Sequence, residues 1–457
     1  MKFLLLLGLC CWIQAIRCQI SFPEDDFTTS IYDVYMKHRE TAHLDTSIAR
    51  GVLNLTLELA KVVPLESEYM GLDNVVFSPL NIAEVLADVL LGANGKTHEE
   101  LAQVLGFDGT RNGQMLHEKF GLLLRRISSV SQLGYGEDVK LASAIFLQKD
   151  YPIRPQYKSA SERIYSSEVT AVDFKNGRKE AKKLIDNWVS EKTGGKIKDI
   201  LEEVPPSDTE IIIAGALYFK AVWEHPFFST KRRPFYTDGA KSKSTKMVEM
   251  MSNGGKFPYY KDMILNCEIL GFPYLGNKST MYVVKPIDSS KEKLQALQQR
   301  LTPEDVERMV SNTKYQTSVL QFPKMKLTST LNLREALAKL GSSTLFHPLE
   351  ADLSLISPGK DQKLDAGRSL DMNLDDVRKT LGPNDNPHLY ADKVLHKVYM
   401  DITETGTEAA AATSVSLSRG GDIITFRVDV PFLFFIWNHE TGLVLFWGAV
   451  YTPTPNF

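Results

Sequence analysis

Residues 404–420 read Glu-Thr-Gly-Thr-Glu-Ala-Ala-Ala-Ala-Thr-Ser-Val-Ser-Leu-Ser-Arg-Gly. Near its end, Arg419, Gly420 and Gly421 make a flexible peptide that a trypsin-like protease could cut. Laid out as a strand, the segment turns Thr407, Ala409, Ala411, Thr413, Val415 and Leu417 to one face. Glu408, Ala410, Ala412, Ser414, Ser416 and Ser418 fall on the other. That alternation is the pattern of a half-buried strand. Alanine is a weak strand former, but small side chains suit a segment that must slip between strands already packed. Gly406 supplies a hinge with free backbone angles. Taken alone, the stretch reads equally well as an alanine-rich helix or linker.

Elsewhere, groups that could perform catalysis do not assemble. Gly92-Ala93-Asn94-Gly95-Lys96-Thr97 has two residues between its glycines, where a phosphate-binding loop needs four, and it follows a helix. His98-Glu99-Glu100 and His117-Glu118-Lys119 lack the second histidine of a zinc helix. No Gly-x-Ser-x-Gly elbow exists, and the nine histidines have no ligand spacing. The chain therefore reads as a non-enzyme without metal or cofactor. Arg125-Arg126 and Lys231-Arg232-Arg233 could hold a sulfated polysaccharide, although basic pairs on solvated faces are commoner.

Lys plus Arg total 53 and Asp plus Glu 56, a balance that argues against nucleic acid as the main partner. The opening residues carry Lys2, an apolar run from Phe3 to Ile13, and Ala15 ahead of Cys18. This reads as a cleaved secretory signal, 1–18, too short to span a bilayer. No membrane contact is expected. Cleavage there leaves Cys267 as the one cysteine, so no internal disulfide can form. Roughly 430 residues can bury a large core without one. Two sequons, at Asn54 and Asn277, could carry glycans in a secreted chain. Asn277 follows Pro273 and Gly276 and should sit in an exposed turn; Asn54 lies in an apolar stretch and is expected to be hidden.

The elements that must position the 404–420 segment follow from periodicity. Residues 45–63, 79–91 and 180–191 have helical spacing, the last with Ala181, Leu184, Ile185 and Trp188 on one face. Thr97 and Glu100 are spaced as a capping box for a helix through Leu105. Strands are expected at 139–148, 211–219, 280–284, 317–323, 397–403 and 423–430. Phe432–Trp437 and Leu443–Val450 are apolar on both faces and form a buried hairpin. Residues 358–389, rich in Gly, Pro and charge, read as disordered. The interspersed elements imply one mixed α+β domain.

Several blocks, in order along the chain, resemble the serpin family. They are NVVFSPLNI (74–82), GANGKT (92–97), WVSEKTGGKI (188–197), YFKAVWEHPF (218–227) and MVEMM (247–251). Phe272–Tyr274, Leu395–Lys397, the Gly406–Thr413 hinge, Asp429–Ile436 and Leu445–Gly448 complete the set. The resemblance implies a serpin domain over 28–457, with three β-sheets, eight to nine helices and an exposed reactive-centre loop within 404–422. It implies a monomeric inhibitor whose style is that of secreted arthropod members restraining immune protease cascades. The alanines mark inhibitory members; a non-inhibitory carrier or chaperone is the alternative.

In that family the target's serine attacks the bait bond and forms an acyl-enzyme. The freed loop then inserts into the main sheet and drags the protease along. The family's count of fourteen residues from Gly406, and of eleven back from Pro431, points to Gly420. Protease chemistry prefers Arg419, which makes Arg419–Gly420 the expected bond and Gly420–Gly421 its alternative. Glu404 begins the hinge. The sheet-opening region maps onto Ser78, Asn81, Gly215, Trp223 and His396. Thr405 and Val430 depart from the family pattern, as do Asn81, where Ser is usual, and Gly215, where Asn is usual. The 358–389 insertion is longer than usual. The Asn81 amide is expected to bond His396 directly or through one water; otherwise Asn81 simply caps the helix near Pro79.

Overall fold

The computed structural model describes residues 46–63, 74–107, 113–128, 137–362, 364, 373–382, 385–407 and 423–454. Ten α-helices occur among them. They are α1 (46–63), α2 (Pro79–Gly92), α3 (Gly95–Leu105), α4 (Gly113–Ser128) and α5 (Pro155–Tyr165). Next come α6 (Arg178–Lys192), α7 (Lys291–Arg300), α8 (Pro303–Asn312), α9 (Arg334–Lys339) and α10 (Leu374–Thr380). The tenth lies inside the segment read as disordered. Its Val377 is buried and Asn373 caps it, so that part of 358–389 is ordered.

The strands are β1 (Asn74–Phe77), β2 (Asp138–Gln148), β3 (Glu168–Val172), β4 (Ile211–Val222) and β5 (Ser229–Tyr236). They continue with β6 (Thr245–Asp262), β7 (Cys267–Pro273), β8 (Ser279–Pro286), β9 (Lys314–Pro323) and β10 (Met325–Asn332). The last five are β11 (Lys393–Thr403), β12 (Gly406–Thr407), β13 (Ile424–Arg427), β14 (Phe432–Asn438) and β15 (Val444–Val450). Hydrogen bonding joins them into a six-stranded sheet, β10-β11-β12-β4-β2-β3, and a nine-stranded one. The larger sheet turns on β6, whose first part pairs with β5 and β9 and whose end pairs with β7. Three expected sheets thus appear as two, because one 18-residue strand belongs to both halves of the larger.

The six-stranded sheet is covered on both faces. Ala181, Ile185 and Trp188 of α6 pack on Phe146, Ile212, Ala214 and Ala216. Leu184, expected on that packed stripe, is 42% exposed instead. On the other face lies α2, every residue of which is buried. Phe432–Phe435 and Leu443–Trp447 are almost wholly buried, as a strand pair covered on both faces must be. The capping box does not form. The Thr97 hydroxyl instead accepts from the Asp352 N–H, and the Glu100 carboxylate accepts from the Thr344 N–H and hydroxyl.

Candidate functional site

The strands β4 and β11 are parallel neighbours from Ile212–Lys393 up to Tyr218–Tyr399. Beyond Tyr218 and Tyr399 they part, and β12 enters between them. Thr407 lies opposite Ala221 on one side and Ile402 on the other; Gly406 lies opposite Val222 and Thr403. The hinge therefore begins inside the sheet rather than above it. Gly406 has φ +153°, and a Cβ there would stand 2.1 Å from the Ala221 carbonyl oxygen, so only glycine makes this entry. Thr407 is fully buried, with its hydroxyl 3.0 Å from that of Tyr274.

Side chains above the entry hold the chain in place. The Trp223 ring stacks on Tyr274 with centroids 4.6 Å apart, and its Nε1–H donates to the Thr403 carbonyl at 3.0 Å. The Trp223 N–H donates to Thr405, and the Phe227 N–H to Glu404. The Glu404 carboxylate accepts from the Thr230 hydroxyl at 2.5 Å and pairs with Lys324 at 3.1 Å. Those contacts hold it below the usual carboxylate range despite partial burial. Glu408–Thr413, Arg419, Gly420 and Gly421 lie outside the described residues, as does the 1–18 signal segment.

Lower in the same seam, His396 lies directly opposite Gly215. The Ser78 N–H donates to His396 Nε2 at 2.8 Å, so Nδ1 carries the ring hydrogen. Burial drives this imidazole down to about 3, and it is neutral. Ser78 also caps α2 by accepting from the Asn81 N–H. Asn81 is therefore not the cap, and its amide does not bond His396 directly. Its Nδ2 donates to Glu84 Oε2 at 3.0 Å and to the Ala142 carbonyl at 3.1 Å. Two polar atoms of this seam, Asn81 Oδ1 and His396 Nδ1, have no partner among the described residues.

Gly215 does leave the room expected of it. A Cβ at this position would lie 2.5 Å from Asn81 Oδ1 and 2.9 Å from Val85 Cγ2. Gly215→Ala should therefore lower stability by about 1–3 kcal/mol through overpacking. Urea denaturation measures it, and an unchanged midpoint would mean that the seam accommodates a methyl group.

Both sequon asparagines are exposed. For Asn277 that matches the expected turn. For Asn54 it corrects the expectation, because α1 turns this position outward. Lys231, Arg232 and Arg233 are exposed along β5, where successive side chains point to opposite faces. Arg125 instead donates to the Arg163 and Ile164 carbonyls. No group of His, Cys, Asp and Glu among the described residues could hold a metal, and no helix there is long and apolar enough to cross a membrane. Cys267 is buried against Met309, and burial pushes its thiol up to about 12.

A family model described as Serpin (serine protease inhibitor) matches residues 51–453. The chain belongs to the serpin family. This serpin is 34% identical over 440 residues to "Serine protease inhibitor 28Dc" of Drosophila melanogaster, covering 90% of this chain and 81% of that one. It is 31% identical to "Leukocyte elastase inhibitor A" of Mus musculus, covering 83% and 93%. Among solved structures, Serpin48 of Tenebrio molitor superposes with a TM-score of 0.73 at 27% identity, over 90% of this chain and 99% of that one.

Sequence reasoning missed one part of the site. Glu84 and Asp88 are fully buried on α2, four residues apart on a helix that is otherwise almost entirely apolar, and that contrast was the available signal. Glu84 accepts from Asn81 and from the Ser143 hydroxyl of β2. Asp88 accepts from Tyr157 and Ser161 of α5. Burial pushes Glu84 up to about 8 and Asp88 up to about 6. From about pH 4.5 to 8 the folded serpin keeps a proton on Glu84 that the unfolded chain has released. Stability therefore falls as pH rises through that window, by up to about 1.4 kcal/mol per unit. Below pH 6.5, His396 works the other way, because the unfolded chain takes up a proton that the buried ring refuses. Glu84→Gln should thus flatten the decline between pH 6.5 and 8 in thermal-melt series. Parallel curves for the two proteins would place an ionised Glu84 in the fold.

Proposed function

We propose that this serpin is a secreted inhibitor that traps trypsin-like serine proteases as acyl-enzymes by inserting its cleaved loop. The observation that carries this reading is β12, where Gly406 and Thr407 already pair on both sides within the main sheet. A hinge seated at the sheet entrance, followed after Glu408 by four alanines and a threonine, has small side chains at the next positions on the Thr407 face, Ala409, Ala411 and Thr413. Bulky or charged residues at Ala409, Ala411 and Thr413 would favour the carrier reading, and none stands there. Arg419 offers a long cation to an acidic specificity pocket, and the glycines after it leave the bond accessible. The Lys2–Ala15 pattern, and exposed asparagines in both sequons, support secretion and glycosylation. The fruit-fly relative's name, a serine protease inhibitor, fits a serine protease as the target.

The test is incubation of the mature protein with a panel of trypsin-like and elastase-like proteases. The expected result is an SDS-stable complex and, by mass spectrometry, a released peptide beginning at Gly420. Complete cleavage without a covalent complex would overturn inhibition in favour of a carrier. A complex with a peptide beginning elsewhere would move the bait bond.

A further inference from the structure

The insertion helix α10 does more than cover the surface. Together with α2, α3, α4 and α5 it encloses a cavity of about 380 Å3, within the size range of small-molecule sites. Its apolar lining comes from Leu91, Ala160, Ile164 and Leu374, one or two from each of three helices. Its polar lining is dominated by donors: His98, His117, Arg163 and Arg378, with Asp375 as the carboxylate among them.

Two of these donors are poorly used by the protein itself. His117 is only 5% exposed, and its Nδ1 lies 2.5 Å from the Tyr165 hydroxyl. In the tautomer whose Nδ1 accepts from that hydroxyl, Nε2 carries the hydrogen and has no partner among the described residues, and an anion at Nε2 would select this tautomer. Arg378 reaches the Leu91 and Ala93 carbonyls only at 3.4 and 3.5 Å, and Asp375 at 3.9 Å. Its Nε is buried without a partner. Arg163 is better satisfied, pairing with Glu118 at 2.6 Å. Burial and the neighbouring Arg378 both keep His98 and His117 neutral, so the site holds its positive charge on guanidinium groups.

An unpaired buried donor is costly, and an anion that reached Arg378 and His117 together would satisfy both. A purely inorganic anion would leave the apolar wall bare. We propose that this cavity binds a small apolar carboxylate, its head between Arg378 and His117 and its body on Leu91, Ala160 and Ile164. The inference is independent of the hinge and of any protease target.

Isothermal titration calorimetry on the full mature chain tests it, with decanoate and 1-naphthoate as probes and decanol as the neutral control. Saturable one-to-one binding is expected for at least one carboxylate, and its identity separates an aliphatic from an aromatic ligand. Decanol should bind at least about tenfold more weakly, as the loss of a charge-assisted hydrogen bond requires. Arg378→Gln should weaken the carboxylate about tenfold while leaving decanol unchanged, and Ala160→Trp should abolish both by filling the cavity. Thermal melting establishes that each variant is folded; should Ala160→Trp fail to fold, Arg378→Gln alone decides. No saturable heat from either carboxylate up to about 1 mM, equal affinity for decanol, or an unaffected Arg378→Gln variant would each overturn the proposal.

Discussion

Thr407→Arg is expected to turn the inhibitor into a substrate: the protease still cuts the loop but is no longer trapped. Thr407 is fully buried, and its neighbours there are Ala221, Ile402 and the Tyr274 hydroxyl. None of these carries a negative charge to balance a guanidinium, and burying an unpaired charge costs several kcal/mol. The hinge would be held out of the sheet, and the cleaved loop could not enter past it. Arg419 lies twelve residues further along, so recognition and acylation should be untouched. Trapping is a race between insertion and deacylation, and each 1.4 kcal/mol added to the insertion barrier slows it about tenfold. The yield of SDS-stable complex should therefore collapse while cleaved inhibitor accumulates. Thr407→Ser, which keeps the hydroxyl on a smaller, uncharged side chain, should trap normally. Wild-type complex yield from Thr407→Arg would sink the insertion mechanism.

The second large effect is expected at the bait. Arg419→Ala removes the cation that would enter an acidic specificity pocket, and breaking a buried charge pair costs about 3–5 kcal/mol. Association with trypsin-like enzymes should slow roughly 10²–10⁴-fold. The hinge is unaffected, so activity against elastase-like enzymes could persist, or arise, through Gly420. Stopped-flow or progress-curve inhibition assays distinguish the two classes. Unchanged inhibition of trypsin would shift the scissile bond away from Arg419.

Much of the architecture was legible because its signals are local. Helical spacing located α2 and α6, and the doubly apolar runs located β14 and β15 to within a residue or so. What failed was decided by partners distant in sequence. The Thr97–Glu100 spacing suits a cap, but Thr344 and Asp352 claim both side chains. α10 is only seven residues long, with two buried positions, too few to register as a period against a charged background. At the site, the glycine and alanines of the hinge were readable as composition. That Thr407 is already buried was not, because it depends on where β4 and β11 separate. Asn81 was expected to seek His396, but Glu84, one turn along the same helix, takes its amide nitrogen.

The register of β12 also gives each loop residue an address. Every step beyond Thr407 moves one place down β4 and one down β11, because β12 is antiparallel to both. Continued in that register, Ser416 arrives opposite Ile212 and Lys393, the pair that now closes the seam at its far end. At about 3.3 Å per residue, the path from Glu408 to Ser416 spans roughly 30 Å, and an enzyme acylated at Arg419 would be carried at least that far. In the same register Thr413 would come to rest opposite both His396 and Gly215, which face each other now. Its hydroxyl, at once donor and acceptor, would meet the seam where Asn81 Oδ1 and His396 Nδ1 stand unpartnered. A buried polar group left unpaired costs about 1–3 kcal/mol, so a loop continued in this register would bring a donor and an acceptor to the two groups that lack partners among the described residues.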